Sequence, residues 1–169
     1  MSDPLRPLRV NAVELLRQPG AERAIDVTIE AEPLEVEHER LAGDLSVALR
    51  LESVNDGILV TGTVSAPWSG SCRRCLEELS GTATAEVDEL YQREITDQDA
   101  FAIESNQLDL VPLTREAILL ELDAERVCRD ECAGLCPVCG IDRNDHSCDC
   151  VTDVRDERWA ALDALRVED

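Results

Sequence analysis

The sequence contains no lysine, few aromatic residues and no long apolar run. All 16 basic residues are arginine, and 37 acidic residues bring the formal net charge to −21 at pH 7. Aromatic residues make up only 2% of the 169 residues, while apolar residues make up 44%. The core must therefore be built from leucine, valine, isoleucine and alanine, in one domain or one domain with a small appendage.

The missing apolar runs and the acidic charge both restrict the class of protein. No stretch approaches the roughly 18 to 20 apolar residues of a membrane-spanning helix, and the N-terminus lacks the apolar stretch of a signal peptide. We therefore expect a soluble, cytoplasmic protein with no membrane contact. An acidic field repels phosphate backbones over most of the surface, so the expected partner is a basic protein, unless the charge serves solubility alone.

Alternation of apolar and polar residues predicts an antiparallel sheet. Its strands are expected at residues 24–31, 44–54, 58–68 and 81–92. Asn55-Asp56-Gly57 supplies the turn between the second and third of these strands, which predicts a β-hairpin. Residues 8–20 are expected to form an extended entry and a brief helix, ended by Pro19-Gly20. Residues 96–107 are expected to form a connecting loop.

After the sheet, the period of the apolar residues changes to that of a helix. In residues 108–127, with Asp109 or Thr114 as the candidate N-cap, the apolar residues at helical spacing are Leu113, Ala117, Leu120, Ala124 and Val127. A short helix is also expected at residues 156–166. The apolar face of that second helix would consist of Trp159, Leu162 and Leu165.

These elements predict an α+β protein. Its antiparallel β-meander sheet would carry a packed helix, a cysteine-rich zinc-binding loop and a short C-terminal helix. We expect residues 1–127 to form the sheet core with one helix, and residues 128–169 to form the cysteine-rich loop and closing helix. The second part would pack on the first, giving a single domain overall.

Eight cysteines in a chain with no export signal indicate metal ligands, because thiols in a reducing compartment rarely form disulfides. They are Cys72, Cys75, Cys128, Cys132, Cys136, Cys139, Cys148 and Cys150. The segment CPVCG at residues 136–140 has the form of a zinc knuckle, in which the glycine lets backbone amides approach the sulfurs. The other Cys-x-x-Cys, at residues 72–75, is expected at the turn between two long strands.

Four thiolates saturate one structural zinc, so eight predict two zinc ions. The most local arrangement joins Cys136/Cys139 to Cys148/Cys150 and leaves Cys72/Cys75 to meet Cys128/Cys132. A rival arrangement joins Cys72/Cys75 to Cys136/Cys139 and leaves the other four cysteines partly free. A chain with one zinc or none is the remaining alternative. His146 is an alternative ligand in place of one member of the Cys148/Cys150 pair.

The arginines between Cys72 and Cys75 have two interpretations. Arg73 and Arg74 could compensate the charge of the thiolates, or they could form a small basic spot that contacts RNA phosphate. The acidic surroundings favour compensation. His38, within a run of acidic residues, is expected to be solvated on a charged face.

A dithiol oxidoreductase is disfavoured, because a redox Cys-x-x-Cys normally opens a helix and here it follows a strand. Two buried thiols without a ligand role are the remaining structural alternative for Cys72 and Cys75. Zinc hydrolysis or deamination is disfavoured because the sequence has no His-x-Glu motif. We therefore expect no enzyme activity and no small-molecule substrate.

The ordered segments of the chain resemble the YceD family, the large ribosomal RNA subunit accumulation proteins. They are LRVNAVELLRQPG (8–20), SCRRCLEEL (71–79), LDLVPLTREAILLEL (108–122), CAGLCPVCGIDRN (132–144) and DERWAALDAL (156–165). Cys72 and Cys75 match the family's Cys-x-x-Cys, and the other six cysteines match the cysteine-rich loop of one branch. Two departures occur: LDAERVC follows the helix where members often have proline, and Asp156-Glu157-Arg158 stands where DPR is common.

The resemblance implies a non-enzymatic factor in the accumulation and maturation of large-subunit (23S) ribosomal RNA, with structural zinc. Its expected partners are ribosomal proteins or a pre-large-subunit particle, with direct or indirect contact to the rRNA. Two alternatives stay open from the residues. One is a cytosolic thiol or zinc redox protein, and the other is a zinc-dependent module that binds rRNA directly.

Overall fold

A computed structural model provides the structure of the protein and describes residues 3–96, 98–151 and 158. The chain divides into two compact units. The first consists of Met1–Gly70 and Glu78–Glu125, and the second of Ser71–Glu77 and Arg126–Asp169. Residues 71–77, which the sequence places within the core, thus group with the cysteine-rich part of the chain. The organisation as a single domain stays a prediction.

The first unit is built on a five-stranded sheet of order β2-β3-β4-β5-β6. The strands are β2 (Glu22–Ile29), β3 (Leu45–Val54), β4 (Gly57–Ser71), β5 (Glu78–Gln92) and β6 (Phe101–Ala102). β2 pairs antiparallel with β3, and β3 pairs antiparallel with β4. The predicted meander is confirmed, and its hairpin turns between Val54 and Gly57 as the Asn-Asp-Gly sequence indicates.

The expectation of a loop throughout residues 96–107 is wrong in part. β6 lies in this segment and pairs parallel with the end of β5, so the sheet is mixed rather than purely antiparallel. The Phe101 ring stacks on the Tyr91 ring with centroids 5.1 Å apart. This contact between two of the few aromatic residues holds the short strand on the sheet.

A second, two-stranded sheet joins the beginning of the chain to the segment before the main helix. Strand β1 (Arg9–Asn11) pairs antiparallel with β7 (Gln107–Asp109). Helix α1 (Ala12–Leu16) follows β1 directly, and the Asn11 side chain caps it by accepting the Val13 N–H at 2.9 Å. The extended entry and brief helix predicted for residues 8–20 are confirmed.

The predicted helix is confirmed as α2 (Val111–Asp123), which is shorter at both ends than the predicted range of residues 108–127. Leu110 occupies the N-cap position and makes no side-chain cap, so neither Asp109 nor Thr114 is the N-cap. The Asp109 carboxylate, one residue earlier, accepts the Val111 N–H at 3.0 Å. The buried positions of the helix are Leu113, Thr114, Ile118 and Leu122.

The C-terminal end of α2 is held by a segment that precedes the sheet hairpin. Arg40 donates from Nη1 to the carbonyl oxygens of Leu122 and Ala124, at 3.2 and 2.9 Å. His38 Nε2 lies 3.0 Å from Asp123 Oδ1, and its Nδ1 accepts the Arg40 N–H. The expectation that His38 is solvated is therefore wrong, since its side chain is only 15% exposed.

The core of the first unit is built mainly from aliphatic residues, as the composition requires, and it also includes Tyr91. Its largest fully buried side chains are Leu8, Leu34, Leu45, Leu51, Ile58, Leu108, Leu110, Ile118 and Leu122, with Val10, Val47 and Val60. Among the described residues, no helix is both long and apolar enough to cross a membrane. The helix predicted at residues 156–166 lies outside the described part of the chain, Arg158 excepted.

Candidate metal centres

Four cysteines from two distant segments meet in the second unit. The sulfurs of Cys72, Cys75, Cys128 and Cys132 all lie within 4.8 Å of one another. Cys72 Sγ is 3.8 Å from Cys132 Sγ, and Cys75 Sγ is 3.7 Å from Cys128 Sγ. Since a disulfide needs sulfurs at about 2.05 Å, these are free thiols brought together without bonding.

The remaining four cysteines form a second group in the same unit. The sulfurs of Cys136, Cys139, Cys148 and Cys150 also lie within 4.8 Å of one another. The structure thus gathers the cysteine pairs in the most local of the arrangements considered, and not in the rival one. Neither group includes His146.

The sulfur spacing fits a tetrahedral ion. A zinc–sulfur bond of about 2.3 Å in a tetrahedron separates the sulfurs by about 3.8 Å. The measured separations of 3.7 and 3.8 Å in the first group match this value. The donor set of four thiolates is the one that structural zinc sites use. Both groups could therefore hold a metal ion.

The two Cys-x-x-Cys segments form the same turn. The N–H of Leu76 donates to the Cys72 carbonyl at 2.9 Å, and the N–H of Gly140 donates to the Cys136 carbonyl at 2.8 Å. The N–H of Cys72 donates to the Glu77 carbonyl, and the N–H of Cys136 donates to the Ile141 carbonyl, both at 2.8 Å. The knuckle geometry predicted for residues 136–140 thus also occurs at residues 72–76.

The residue after each turn has a left-handed backbone. Gly140 adopts φ +75°, and Leu76 adopts φ +64°. Glycine takes this conformation freely, whereas a residue with a Cβ is strained by about 1 kcal/mol or more. The absence of glycine after Cys75 is the reason that the sequence indicated a knuckle only for the second segment.

Backbone amides make Cys72 the ionised member of the first group. Burial opposes ionisation, but the N–H groups of Cys75, Arg74 and Cys128 point at the sulfur and lower the pKa of Cys72 to about 6. Two of these contacts, from Arg74 and Cys128, measure 3.4 Å. The Asn144 amide donates to Cys132 Sγ at 3.4 Å and lowers the pKa of that thiol. Burial and the neighbouring thiols raise the pKa of Cys128.

The second group repeats this division of roles. The N–H groups of Cys139 and Val138 lower the pKa of the Cys136 thiol to about 6. The hydrogen bond with Cys139 and then burial raise the pKa of Cys150 to about 12. Each group therefore favours the thiolate at the first cysteine of its knuckle. A bound metal ion would displace the thiol protons that remain.

Two residues that the sequence did not identify as ligand supports hold the first group together. Arg74 donates from Nη1 to the Asp130 and Cys132 carbonyls, at 2.8 and 3.2 Å. Asn144 Oδ1 accepts the Ala133 N–H at 2.8 Å while its amide reaches Cys132 Sγ. No spacing rule identifies such an asparagine. Arg74 was noted as a charge, but its contacts are directional hydrogen bonds.

Comparison with known proteins gives one family and several relatives. The family model described as Large ribosomal RNA subunit accumulation protein YceD matches residues 60–166, which include all eight cysteines. An uncharacterized protein of Mycobacterium tuberculosis is 37% identical over 146 residues, covering 80% of this chain and 70% of that protein. An uncharacterized protein of Mycobacterium leprae is 30% identical over 146 residues, covering 80% of this chain and 67% of that protein.

A plant protein carries the family's description in its name. It is the Large ribosomal RNA subunit accumulation protein YCED homolog 1, chloroplastic, of Arabidopsis thaliana. It is 30% identical over 66 residues, which cover 39% of this chain and 21% of that protein. No solved structure matches this chain.

Proposed function

The chain belongs to the YceD family, and on this premise we propose that it is a non-enzymatic ribosome-assembly factor. It supports the accumulation and maturation of large-subunit (23S) rRNA. The observation that carries the proposal is the family match over residues 60–166, which extends from β4 through both cysteine groups. The match includes the parts of the chain that are most distinctive chemically, and not only an apolar core.

We further propose that the protein acts through ribosomal proteins on the pre-large-subunit particle. Ribosomal proteins are basic, and a chain of net charge −21 attracts basic surfaces while it repels exposed phosphate. Direct rRNA binding through Arg73 and Arg74 is less well supported, because the Arg74 guanidinium is engaged with two backbone carbonyls of its own unit.

Each cysteine group is proposed to bind one zinc ion, giving Cys72/Cys75/Cys128/Cys132 and Cys136/Cys139/Cys148/Cys150 as ligand sets. Zinc supplies no chemistry here beyond the closure of the loops. Structural zinc can contribute on the order of 10 kcal/mol to the folding of a short segment. Eight thiolates add eight negative charges and two zinc ions remove four, so the formal net charge changes from −21 to −25.

A thiol redox protein is the second candidate, since the pKa of Cys72 and that of Cys136 are both lowered to about 6. Burial argues against it. The exposed fraction of Cys72 is 0% and that of Cys136 is 2%. A thiolate must reach its substrate to exchange disulfides, so these sulfurs fit a ligand role better than a nucleophilic one.

The assembly role is tested by depleting the protein in its own organism and separating ribosomal particles on a sucrose gradient. We expect fewer mature large subunits, accumulated large-subunit precursors and a lower ratio of 23S to 16S rRNA. Re-expression of the wild-type chain should restore the profile. Unchanged large-subunit and precursor peaks, with an unchanged rRNA ratio, would contradict the proposal.

A further inference from the structure

The first unit contains a groove between helix α2 and strand β5 that the cysteine groups do not touch. Its volume is about 330 Å³. The apolar residues that line it are Ala85, Val87, Phe101, Leu113, Ala117 and Leu120. The acidic residues that line it are Glu86, Glu89, Glu116 and Glu121. An apolar floor with an acidic rim is thus formed by one helix face and one strand.

Helix α2 has two apolar stripes, and one of them contributes to the groove as well as to the core. Ile118 and Leu122 are buried in the core of the unit. Leu113, Ala117 and Leu120 recur at the same helical spacing on the groove side. Leu120 is 75% exposed and lines the groove. Leu113 is also buried in the core and Ala117 packs against it, so Leu120 is the exposed member of this set.

The charged residues that line the groove are acidic. Within the part of the chain that the structure describes, its lining contains four glutamates and no basic residue. Burial, followed by the charges of Asp88 and Asp99, raises the pKa of Glu89. Burial likewise raises the pKa of Tyr91, with Glu89, Asp109 and Glu116 adding to the effect. The described lining of the groove is therefore acidic.

We propose that this groove binds a protein segment in which arginine or lysine residues flank an apolar side chain. The apolar side chain would lie on Ala117 and Leu120, and the cations would meet the glutamates of the rim. This pairing satisfies both features of the groove, since apolar contact supplies affinity and charge complementarity supplies specificity. The inference rests on the proposed function only for the identity of the partner as a ribosomal protein.

Charge selects this occupant over two others. RNA would bring phosphates beside the glutamate rim, which repels them. A second copy of the chain would bring another molecule of charge −21. A basic protein segment is the occupant whose charge and apolar content both complement the groove.

The test titrates the full-length protein with large-subunit ribosomal proteins of the same organism, purified individually, and measures each Kd by isothermal titration. Two variants alter the groove: Leu120→Ser, and the double variant Glu86→Gln with Glu116→Gln. Two matched controls alter other exposed positions. They are Ile95→Ser, whose parent side chain is 56% exposed, and the double variant Glu30→Gln with Asp44→Asn.

At least one ribosomal protein should bind the wild-type chain, and each groove variant should weaken that binding by about tenfold. The control variants should change it by less than about twofold. The double glutamate variant should also show a weaker salt dependence, because it removes two of the rim charges. Equal affinity of the groove variants and the wild type would overturn the inference, as would absence of binding to every ribosomal protein.

Two further measurements test whether RNA or a second copy of the chain occupies the groove instead. Tighter binding of a 23S rRNA fragment than of any ribosomal protein, lost in Leu120→Ser, would assign the groove to RNA. A dimer in sedimentation that Leu120→Ser dissociates would assign it to a second copy of the chain. Either result overturns the inference.

Failure of the groove and failure of the assembly role give different results. If depletion lowers 23S rRNA and a Leu120→Ser chain restores it fully, the groove inference fails and the assembly role stands. If depletion leaves rRNA unchanged while groove variants still lose a basic protein partner, the assembly role fails and the docking inference stands.

Discussion

At the scale of single residues, the backbone conformation of a few positions decides whether the cysteine turns can form. Gly134 and Gly140 both have positive φ, at +67° and +75°. A Cβ at Gly140 would meet nothing within 4 Å, whereas one at Gly134 would lie 2.9 Å from the Arg74 carbonyl oxygen. A side chain at Gly140 would therefore add backbone strain alone, whereas a side chain at Gly134 would add both backbone strain and steric overlap.

Replacing these glycines by alanine should cost different amounts. Gly140→Ala should weaken metal binding by about 1 kcal/mol, the strain of a left-handed alanine. Gly134→Ala should cost about 2 kcal/mol or more, since overlap with a backbone oxygen adds to that strain. Competition with a zinc chelator measures both changes, because folding of the second unit is linked to metal binding. Equal losses in the two variants would show that the contact with Arg74 is unimportant.

Thiol ionisation makes the metal centres sensitive to acid. The pKa values of Cys72 and Cys136 fall from 9.0 to about 6 in the folded chain. Their thiolates therefore stabilise the fold fully above pH 9, and this contribution is lost as the pH falls through about 6. Acid opposes metal binding in the same direction, because protons compete for the sulfurs.

We expect the metal-loaded protein to keep its zinc at neutral pH and to release it progressively in acid, because protons compete with zinc for the thiolates. Zinc content measured after dialysis across a series of buffers gives the profile. Restoring neutral pH with added zinc controls for irreversible damage. Full zinc retention in strong acid would contradict the assignment of thiolate ligands.

At the scale of elements, helix α2 shows how sequence periodicity identifies a helix without assigning its faces. Leu113, Ala117 and Leu120 predicted the helix correctly. Ile118 and Leu122 form an equally regular stripe, and the core buries both of them together with Leu113, whereas Leu120 is exposed. Two apolar stripes on one helix cannot be ranked from spacing alone, because the choice depends on which face the sheet covers.

The C-terminal end of α2 depends on a distant arginine. Arg40 donates to two of the orphan carbonyls that every helix end leaves. Arg40→Ala should destabilise the protein by about 1 to 2 kcal/mol, because it leaves those carbonyls unpaired in a partly buried site. Urea unfolding followed by circular dichroism measures the change in free energy of unfolding.

Arg50→Ala is the matched control for this prediction. Arg50 pairs with Glu22 on the surface, and its side chain is 57% exposed. Loss of an exposed ion pair should lower the free energy of unfolding by less than loss of the Arg40 contacts does. If Arg40→Ala costs no more than Arg50→Ala, the capping role of Arg40 is wrong.

At the scale of the whole molecule, the sequence predicted the sheet, the main helix and the grouping of the cysteines, for physical reasons that differ. Strand alternation and the Asn-Asp-Gly turn are local, so the hairpin followed from them. The grouping of Cys136/Cys139 with Cys148/Cys150 is also local. The first group then followed, because Cys72 and Cys75 were left to meet Cys128 and Cys132.

The features that the sequence did not predict depend on contacts across the chain. The pairing of β6 with β5 depends on Phe101 stacking on Tyr91, and the support of Cys132 by Asn144 depends on the path of a loop. The burial of the His38 side chain, which the sequence did not predict, depends on its contact with Asp123, 85 residues later. Local patterns carry no information about such contacts.

The metal content of the full-length protein, purified under reducing conditions, tests the central structural claim most directly. We predict two zinc ions per chain, one for each four-cysteine group. Cys75→Ser and Cys139→Ser should each lower the content to about one, while His146→Ala should leave it at two. Absence of bound metal, or loss of both ions in His146→Ala, would contradict the account.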